Sequence, residues 1–258
     1  MSRAVGRLCE APLPPGLARA VVGLYVRAYR VNLDECVTQG TYQSFDEFFT
    51  RPLKPGRRAI CADPEVVVSP ADGSIEAIGT IDLDQSMSIK GRPYRAAELI
   101  GDAGDAHRYA GGQFAVVYLS PRDYHRVHAP VAGAITLVRS CPGDLFPVNS
   151  LGERHVPALF STNRRVAIVI DSELLGRVTV VMVGAIIVGR ISVNAIGGPD
   201  VPLGNHLIAP PRAVSKGDEI GVFHLGSTAI VFLEPRRVRP LARPLGPVRL
   251  GESLMGDT

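Results

Sequence analysis

The sequence predicts an α+β fold in which antiparallel β-strands predominate, with a small helical region at the N-terminus. Short runs rich in Val and Ile recur between turn-forming residues, which include 27 Gly and 21 Pro among 258 residues. The first fifty residues instead carry apolar residues at helical spacing, interspersed with arginines. We therefore expect a helical, amphipathic region over residues 1–50 and a compact β-rich domain over residues 51–258.

The composition argues against two broad classes of protein. Hydrophobic residues make up 46% of the chain and charged residues 21%, so a sizeable core is available and global disorder is excluded. The 28 Lys and Arg against 25 Asp and Glu give a net charge of +3, which is too small to indicate a nucleic-acid partner.

The cysteines and the hydropathy pattern bear on the compartment. Cys9, Cys36, Cys61 and Cys141 show no CxxC spacing, so we expect reduced thiols in a cytosolic compartment. No stretch reaches the roughly 18–20 uninterrupted apolar residues that span a bilayer, and prolines and arginines interrupt any N-terminal signal sequence. The sequence therefore predicts a soluble or peripheral protein.

The N-terminal region is predicted to form a helix with two distinct faces. The apolar residues lie on one face of this helix, and they are Leu17, Val21, Leu24, Ala28 and Val31. The arginines lie on a different face, and they are Arg19, Arg27 and Arg30. Such a helix either packs on its own domain or lies in the headgroup layer of an anionic membrane. A second short helix is expected over Ser44–Thr50, with Ser44 as N-cap and Glu47 at the capping-box position.

Strands are predicted throughout the rest of the chain. The predicted segments are Glu65–Val68, Phe114–Leu119, Ala134–Val138, Val166–Ile170, Val178–Val183, Ala185–Ile191, Val222–Leu225 and Ala229–Leu233. The apolar run Val178–Ile191 predicts a buried strand pair or one long strand. Residues 82–110 are expected to hold one or two strands with a partly helical insertion.

The first candidate site is the segment Ser69–Gly73, directly after a predicted strand. Pro-x-Asp-Gly favours a turn, because Gly accepts positive φ and Asp bonds to nearby backbone. An ordinary turn is the simplest interpretation of this segment alone. The functional interpretation is that Asp72 is a carboxylate held rigidly at a strand end.

The second candidate site, Tyr124–Pro130, contains two histidines three residues apart. The prolines on both sides favour a turn or extended loop rather than a helix. His125 and His128 are then structural histidines, two ligands of a zinc site, or acid–base groups, since imidazole titrates near neutral pH.

The third candidate site is the Gly226-Ser227 pair, which lies between two predicted strands. It is either an ordinary hairpin turn or a place for intramolecular attack, because glycine leaves its own carbonyl unobstructed. A serine hydroxyl becomes nucleophilic when a base takes its proton and an acid orients that base. Asp72, one histidine of the pair and Ser227 would supply these three roles.

Together these segments resemble the phosphatidylserine decarboxylase family over most of the chain. The matching segments, in order, are Phe48–Arg58, Pro70–Gly73, Tyr124–Pro130, Val183–Ala185 with Val188–Gly189, and Lys216–Thr228. One departure is Phe160–Arg165, which reads Phe-Ser-Thr-Asn-Arg-Arg where the family commonly has Asn-Glu-Arg after a Phe. That departure leaves the role of the 163–165 loop open.

The resemblance implies a proenzyme that cuts itself between Gly226 and Ser227. Ser227 would attack the Gly226 carbonyl, with His128 as base and Asp72 orienting it. Elimination and hydrolysis would then release ammonia and leave a pyruvoyl group, the covalent cofactor, at position 227. The resulting 1–226 and 227–258 chains are expected to stay associated, because the strands on either side of the cut are expected in one sheet.

The resemblance also implies the reaction, which is decarboxylation of phosphatidylserine to phosphatidylethanolamine and CO₂. His125 would deliver the proton to the former α-carbon, and no metal is expected. Spacing alone does not say which histidine faces Ser227. A lipid substrate favours docking of residues 13–33 on an anionic membrane. The protein would then be peripheral at the cytoplasmic face of the cell membrane. A homodimer is left open.

Three alternatives remain at this point. A decarboxylase of another phosphoserine lipid would keep the chemistry. A zinc hydrolase would use Asp72, His125 and His128 as ligands, and a β-rich carrier or membrane-binding module would use the same turns only structurally; both leave the chain uncut. The remaining histidines that we expect to be structural are His155, His206 and His224, of which His224 is the most suspect because it lies three residues before Ser227.

Overall fold

A computed structural model describes residues 9–148, 150–185, 190–224, 227–235, 237–238 and 243–256. The helices are α1 (Pro15–Tyr29), α2 (Phe45–Phe49), α3 (Ala96–Ile100), α4 (Ala103–Ala106), α5 (Ser150–His155) and α6 (Leu159–Thr162), with a 3₁₀ turn over His107–Tyr109. The strands are β1 (Val67–Val68), β2 (Gly73–Thr80), β3 (Ser86–Ile89), β4 (Arg92–Arg95), β5 (Gln113–Leu119), β6 (Arg126–His128), β7 (Gly133–Cys141), β8 (Arg165–Ser172), β9 (Gly176–Gly184), β10 (Arg190–Val193), β11 (Gly204–Val214), β12 (Glu219–His224), β13 (Ser227–Leu233), β14 (Gly246–Val248) and β15 (Ser253–Met255).

One large sheet organises the molecule. Its eight strands lie in the order β11-β7-β8-β9-β13-β5-β2-β14, and each neighbouring pair is antiparallel. A three-stranded sheet has the order β10-β12-β6, and β1 pairs with β15 and β3 with β4, all of them antiparallel. The predicted α+β class with predominantly antiparallel strands is confirmed.

The core lies on both faces of the large sheet. Along β13, Ala229, Val231 and Leu233 belong to one buried apolar cluster, whereas Ile230 and Phe232 belong to the cluster on the opposite face. Because successive side chains of a strand point to opposite faces, a strand covered on both sides reads as a continuous apolar run. This explains why β13 and its neighbours are visible in the sequence.

Every predicted strand segment coincides with an observed strand, with two qualifications. The run Val178–Ile191 is a strand pair, β9 and β10, and its two strands lie in different sheets. Residues 186–189, and with them the Val188–Gly189 match, lie outside the described residues, as do Leu225 and Gly226. Residues 82–110 contain the β3–β4 pair followed by α3, α4 and the 3₁₀ turn, as predicted.

One expectation about the strands around Ser227 is wrong. Strands β12 and β13 were expected in one sheet, but β12 belongs to the three-stranded sheet and β13 to the eight-stranded one. The reason is that β13 already has β9 on one side and β5 on the other, so no edge is left for β12. The chain therefore passes from one sheet to the other between His224 and Ser227.

Helix α1 packs through a different face from the apolar stripe seen in the sequence. Ala18 and Val22 are buried, and Val22 joins a small cluster with Phe48. Leu17 and Leu24 of the stripe are 51% and 71% exposed. Within the described residues, no helix is both long enough and apolar enough to cross a bilayer.

The N-terminus of α2 forms as its sequence predicts. The Ser44 hydroxyl caps the helix by accepting the Glu47 amide at 3.1 Å. The Glu47 carboxylate turns back as in a capping box, but it accepts the amide of Gln43 at 2.6 Å, one residue before the cap.

Candidate active site

Ser227 is the first residue of β13 and lies in the middle of the large sheet. Its backbone is opposite Leu119 of β5 and Gly184 of β9. The side chain is fully buried, and Oγ has no hydrogen-bond partner among the described residues. Leaving a buried hydroxyl unpaired costs about 1–3 kcal/mol, so an orphaned serine at a strand junction invites a chemical explanation.

His125 lies in the turn that joins β5 to β6 and is also fully buried. Its Nδ1 is 2.9 Å from the carbonyl oxygen of Asp123, and its ring contacts Phe49 with ring centres 3.9 Å apart. Burial, reinforced by the positive charge of Arg51, lowers the pKa of His125 to about 3. A carbonyl only accepts, so the neutral ring carries its proton on Nδ1 and leaves Nε2 as a lone pair with no partner among the described residues.

His128 ends β6 and has partners for both ring nitrogens. Nδ1 donates to the carbonyl oxygen of Gly217 at 2.8 Å, which leaves Nε2 to accept from the Tyr124 hydroxyl at 3.1 Å. Burial lowers the pKa of His128, although the Gly217 carbonyl and nearby carboxylates oppose the shift. His128 is therefore a neutral base, oriented from both sides.

Asp72 lies at the start of β2 and is held chiefly by Arg58. The Arg58 Nε and Nη2 atoms approach the carboxylate at 2.8 and 2.5 Å, and the Leu250 amide donates to Oδ1 at 2.9 Å. Arg58 also binds Glu35 at 2.9 Å, and these two carboxylates raise the pKa of Arg58. Gly73 is required next to Asp72, because a Cβ there would collide with the Tyr118 carbonyl oxygen.

The predicted site residues divide into two groups. The backbone segments that carry Asp72 and His128 are adjacent, since the His128 amide donates to the Pro70 carbonyl at 2.8 Å. No hydrogen bond joins their side chains in the part of the chain that the structure describes. The His125 carbonyl accepts the amide of Phe223, near the end of β12 that precedes Ser227, at 3.0 Å. His128 is opposite Glu219, the first residue of β12. Along β12, His125 is therefore nearer than His128 to Ser227.

His224 has a polar environment that the sequence did not reveal. Its Nδ1 lies 2.9 Å from Asp46 of α2, and its Nε2 lies 3.2 Å from the Ser192 hydroxyl of β10. Arg190 approaches the same Asp46 carboxylate at 3.2 Å. The end of β12, three residues before Ser227, is thereby tied to the N-terminal region.

The 163–165 loop contacts the strand beside Ser227. The Asn163 side chain donates to the Gly184 carbonyl at 2.8 Å, and the Gly184 amide donates to the Arg164 carbonyl at 2.8 Å. Arg164 also binds Asp200 through both terminal nitrogens. Since Gly184 pairs with Ser227, this loop sets the position of the strand edge next to the serine.

Other predicted candidates show no chemical constellation. His206 lies on the edge strand β11 and bonds to the Pro202 carbonyl at 2.8 Å. Among the described residues, no group of three or more His, Cys, Asp or Glu side chains is placed to hold a metal ion.

Four polar residues of this region were given no role from the sequence. They are Tyr124, Arg58, Asp46 and Asn163. Tyr124 and Arg58 lie inside segments that match the family, so the sequence marks their positions. It does not indicate which residues they bind. Asp46 and Asn163 act on residues distant in sequence, and only the fold brings them there.

Comparison with known proteins gives a consistent result. Residues 45–256 match the family model described as phosphatidylserine decarboxylase. The chain is 41% identical to a phosphatidylserine decarboxylase proenzyme of Anaeromyxobacter sp. (strain K), with 99% of this chain and 93% of that protein covered. It is 40% identical to the protein of the same name from Bordetella pertussis, with 98% and 89% covered, and 41% identical to that from Acinetobacter baumannii, with 92% and 84% covered.

These matches define the chain as an enzyme of the decarboxylase class. It belongs to the phosphatidylserine decarboxylase family. The resemblance read from the sequence and the expectation of an enzyme of this class are both confirmed.

Proposed function

We propose that this protein decarboxylates phosphatidylserine to phosphatidylethanolamine and CO₂, using a pyruvoyl group made from its own Ser227. The observation that carries the proposal is the buried, unpaired hydroxyl of Ser227 at the point where the chain passes between two sheets. The names of its relatives support both the substrate and the proenzyme state.

The proposed self-cleavage begins with attack of Ser227 Oγ on the carbonyl carbon of Gly226. The C–N bond breaks as the ester C–O bond forms, and the hydroxyl proton passes through a histidine to the released amine. Loss of the Ser227 α-proton then expels the Gly226 carboxylate, and hydrolysis releases ammonia. The products are chains 1–226 and 227–258, with the new carbonyl group at position 227.

Retention of the short chain is supported by its strand pairing. All seven residues of β13 pair with β5 on one side and β9 on the other. The later strands β14 and β15 pair with β2 and β1. Cutting between two sheets leaves each of these pairings intact, so the two chains stay together.

We assign the base of self-cleavage to His128, on which Asp72 acts through its charge while Gly217 and Tyr124 orient the ring, and the proton donor of decarboxylation to His125. The neutral state of His128 supports a base role, in which Nε2 exchanges the Tyr124 hydroxyl for that of Ser227. The position of His125 beside Phe223 and its unpaired Nε2 support a place close to the reacting atoms. With a pKa of about 3, His125 must take up a proton during turnover before it can donate one.

The pyruvoyl group supplies an electron sink for the bond that breaks as CO₂ leaves. Its precursor is supported by the buried position of Ser227, whose hydroxyl has no hydrogen-bond partner among the described residues. The contribution of the chain is to position Ser227, to hold neutral histidines nearby and to deliver one proton.

We further propose that α1 docks the enzyme on an anionic membrane at the cytoplasmic face of the cell. The exposed Leu17, Val21 and Leu24 lie on the outward face, while Ala18 and Val22 face the protein. Exposed apolar residues beside arginines are the pattern of helices that lie in a headgroup layer. The enzyme would then be peripheral.

The proposal is tested by measuring CO₂ release from carboxyl-labelled phosphatidylserine in detergent micelles. We expect release by the purified protein and none after borohydride treatment, which reduces the ketone. A second phosphoserine lipid with a different backbone, assayed in parallel, tests the alternative substrate. Full activity in a protein that stays a single uncut chain would contradict the mechanism.

Two substitutions separate the histidine roles. His128→Ala should leave the chain uncut, whereas His125→Ala should cut and then fail to release CO₂. The outcome opposite to this, with His125→Ala uncut and His128→Ala cut, would exchange the two assignments. Circular dichroism on both variants checks that they remain folded.

A further inference from the structure

A cavity of about 420 Å³ opens beside Asp72, at the start of β2. The N-terminal region, the turn before β6 and the C-terminal segment meet there. Its charged lining comprises Arg30, Arg51, Arg58, Arg122 and Arg249 with Glu35, Asp72, Asp123 and Glu252. The volume is in the range of sites that hold small ligands.

The carboxylates of this cavity already have partners. Glu35 and Asp72 bind Arg58, Asp123 accepts from the amide and hydroxyl of Ser120, and Glu252 binds Arg243. In the described structure, the other four arginines form no hydrogen bond to these carboxylates, although the charge of Arg249 helps to lower the pKa of Glu35. Arg122 comes no closer than 3.9 Å to Asp123, and Arg30, Arg51 and Arg249 form no ion pair within the described part of the chain.

Arg51 is the most informative of the four because it is only 3% exposed. Its terminal nitrogens donate to the carbonyl oxygens of Phe48, Arg122 and Asp123. Its Nε is buried and has no hydrogen-bond partner among the described residues. Buried charges are normally neutralised by a counter-ion, so a cation in this state indicates a missing anion.

The chemistry of the surplus groups selects the kind of anion. Guanidinium groups bind phosphate oxygens through paired, charge-assisted hydrogen bonds, more specifically than ammonium groups do. Arg30 directly follows α1, whose exposed Leu24 side we propose to face lipid. A phosphate at this position would therefore lie close to the headgroup layer.

We propose that this cavity binds an anionic phosphate group through Arg51, Arg122 and Arg249. The group is either free phosphate or the phosphodiester of a lipid headgroup. The inference does not require the proposed reaction, because Ser227 and His125 do not line the cavity. It adds an anion site next to Asp72.

Binding measurements on the purified full-length protein test the inference. Titration calorimetry at constant ionic strength would use two probes, inorganic phosphate and a soluble short-chain phosphatidylglycerol. The test variant is Arg122→Gln with Arg249→Gln, since both side chains are exposed at the rim. The matched control is Arg95→Gln with Arg212→Gln, which removes the same charge at exposed positions outside the cavity.

We expect the test variant to bind at least one probe about tenfold more weakly, which corresponds to the loss of roughly one charge-assisted hydrogen bond. The control variant should bind both probes as tightly as the unmodified protein does. The probe that binds more tightly identifies the source of the phosphate. Equal weakening in both variants, or binding of neither probe to the unmodified protein, overturns the inference. Because the readout is binding, either result leaves the proposed decarboxylation untouched.

Discussion

The polar groups around Ser227 and those around Asp72 are both buried, but they differ in how they are paired. Ser227 Oγ and His125 Nε2 have no partners in the described structure. Asp72 and His128, by contrast, have every side-chain polar atom near a donor or acceptor. The first group is unpaired, as are a few other buried atoms such as Thr228 Oγ1, and the second is held in place by its partners.

This difference suggests a division of labour within one site. Unpaired groups are free to form new bonds to a reacting atom, whereas paired groups fix positions and protonation states, so the proposed base His128 must first exchange its Tyr124 partner. Arg51 belongs to the surroundings of the first group, because it donates to the carbonyls of Arg122 and Asp123 and its charge lowers the pKa of His125.

The largest effect is expected from Ser227→Ala. It removes the proposed nucleophile, so self-cleavage and CO₂ release should both be abolished. Because the lost hydroxyl has no partner among the described residues, the free energy of unfolding should not fall. Gel electrophoresis and urea denaturation measure the two quantities.

Ser140→Ala is the matched control for that variant, since Ser140 is also a buried serine in the large sheet. It should cleave normally. Cleavage by the Ser227→Ala protein at the same position would refute the role of this hydroxyl.

The next effect is expected from Arg58→Gln, which breaks the paired cluster. It leaves the buried Asp72 and the partly exposed Glu35 without their cation, and losing the partner of a buried carboxylate such as Asp72 costs about 3 kcal/mol. We expect that loss in urea denaturation, together with slower self-cleavage, because Asp72 is no longer held. Glu35→Gln keeps the bond between Arg58 and Asp72 and should cleave at the normal rate; equal slowing in both variants would point to a general loss of stability instead.

Much of this architecture could be predicted from the sequence, and the exceptions have physical causes. Strands covered on both faces, such as β13, were visible as apolar runs. β11 was missed because it contains Pro210 and Pro211, which an edge strand tolerates since one side makes no ladder bonds. β2 was missed because its burial alternates and glycines open and interrupt it.

The candidate site residues were chosen from their residue types and from the family resemblance, and their roles stay predictions. Asp72, His125, His128 and Ser227 were all singled out before the fold was known. Arg58, which holds Asp72, could not be assigned as its partner, because a contact across fourteen residues of irregular chain has no periodic signal. The outward face of α1 was equally hidden, since a helical wheel does not say which face meets the protein.

A third prediction concerns pH. The pKa of His125 falls from its ordinary 6.5 to about 3 in the folded protein, so the unfolded chain binds more protons between these values. Stability that is complete above pH 6.5 is therefore lost as pH falls toward 3, by up to about 1.4 kcal/mol per pH unit. His128 shifts in the same direction.

Urea midpoints between pH 5 and 7.5 measure this slope, in a range where most carboxylates stay ionised. His125→Leu should flatten it, whereas His206→Gln, on the edge strand, should not. An unchanged slope in His125→Leu would mean that His125 is not held neutral by the fold.

The smallest effect is expected from His224→Gln. This change removes the bond between the end of β12 and Asp46, a partly exposed contact worth less than about 1 kcal/mol. We expect nearly normal stability with self-cleavage slowed a few-fold, since the strand end before Ser227 loses one anchor. Time courses on freshly synthesised protein measure the rate, and an Asp46→Asn variant that slows cleavage equally would identify the contact rather than the histidine alone.

The central claim is that the chain cleaves itself between Gly226 and Ser227. The intact mass of the purified protein tests this claim most directly. The chain has a mass of 27.5 kDa over 258 residues. Residues 227–258 should therefore appear as a fragment of about 3.4 kDa. That fragment should be about 17 Da lighter than the same peptide beginning with serine, as a pyruvoyl terminus requires. A single 27.5 kDa species in a preparation that releases CO₂ from phosphatidylserine would contradict the account.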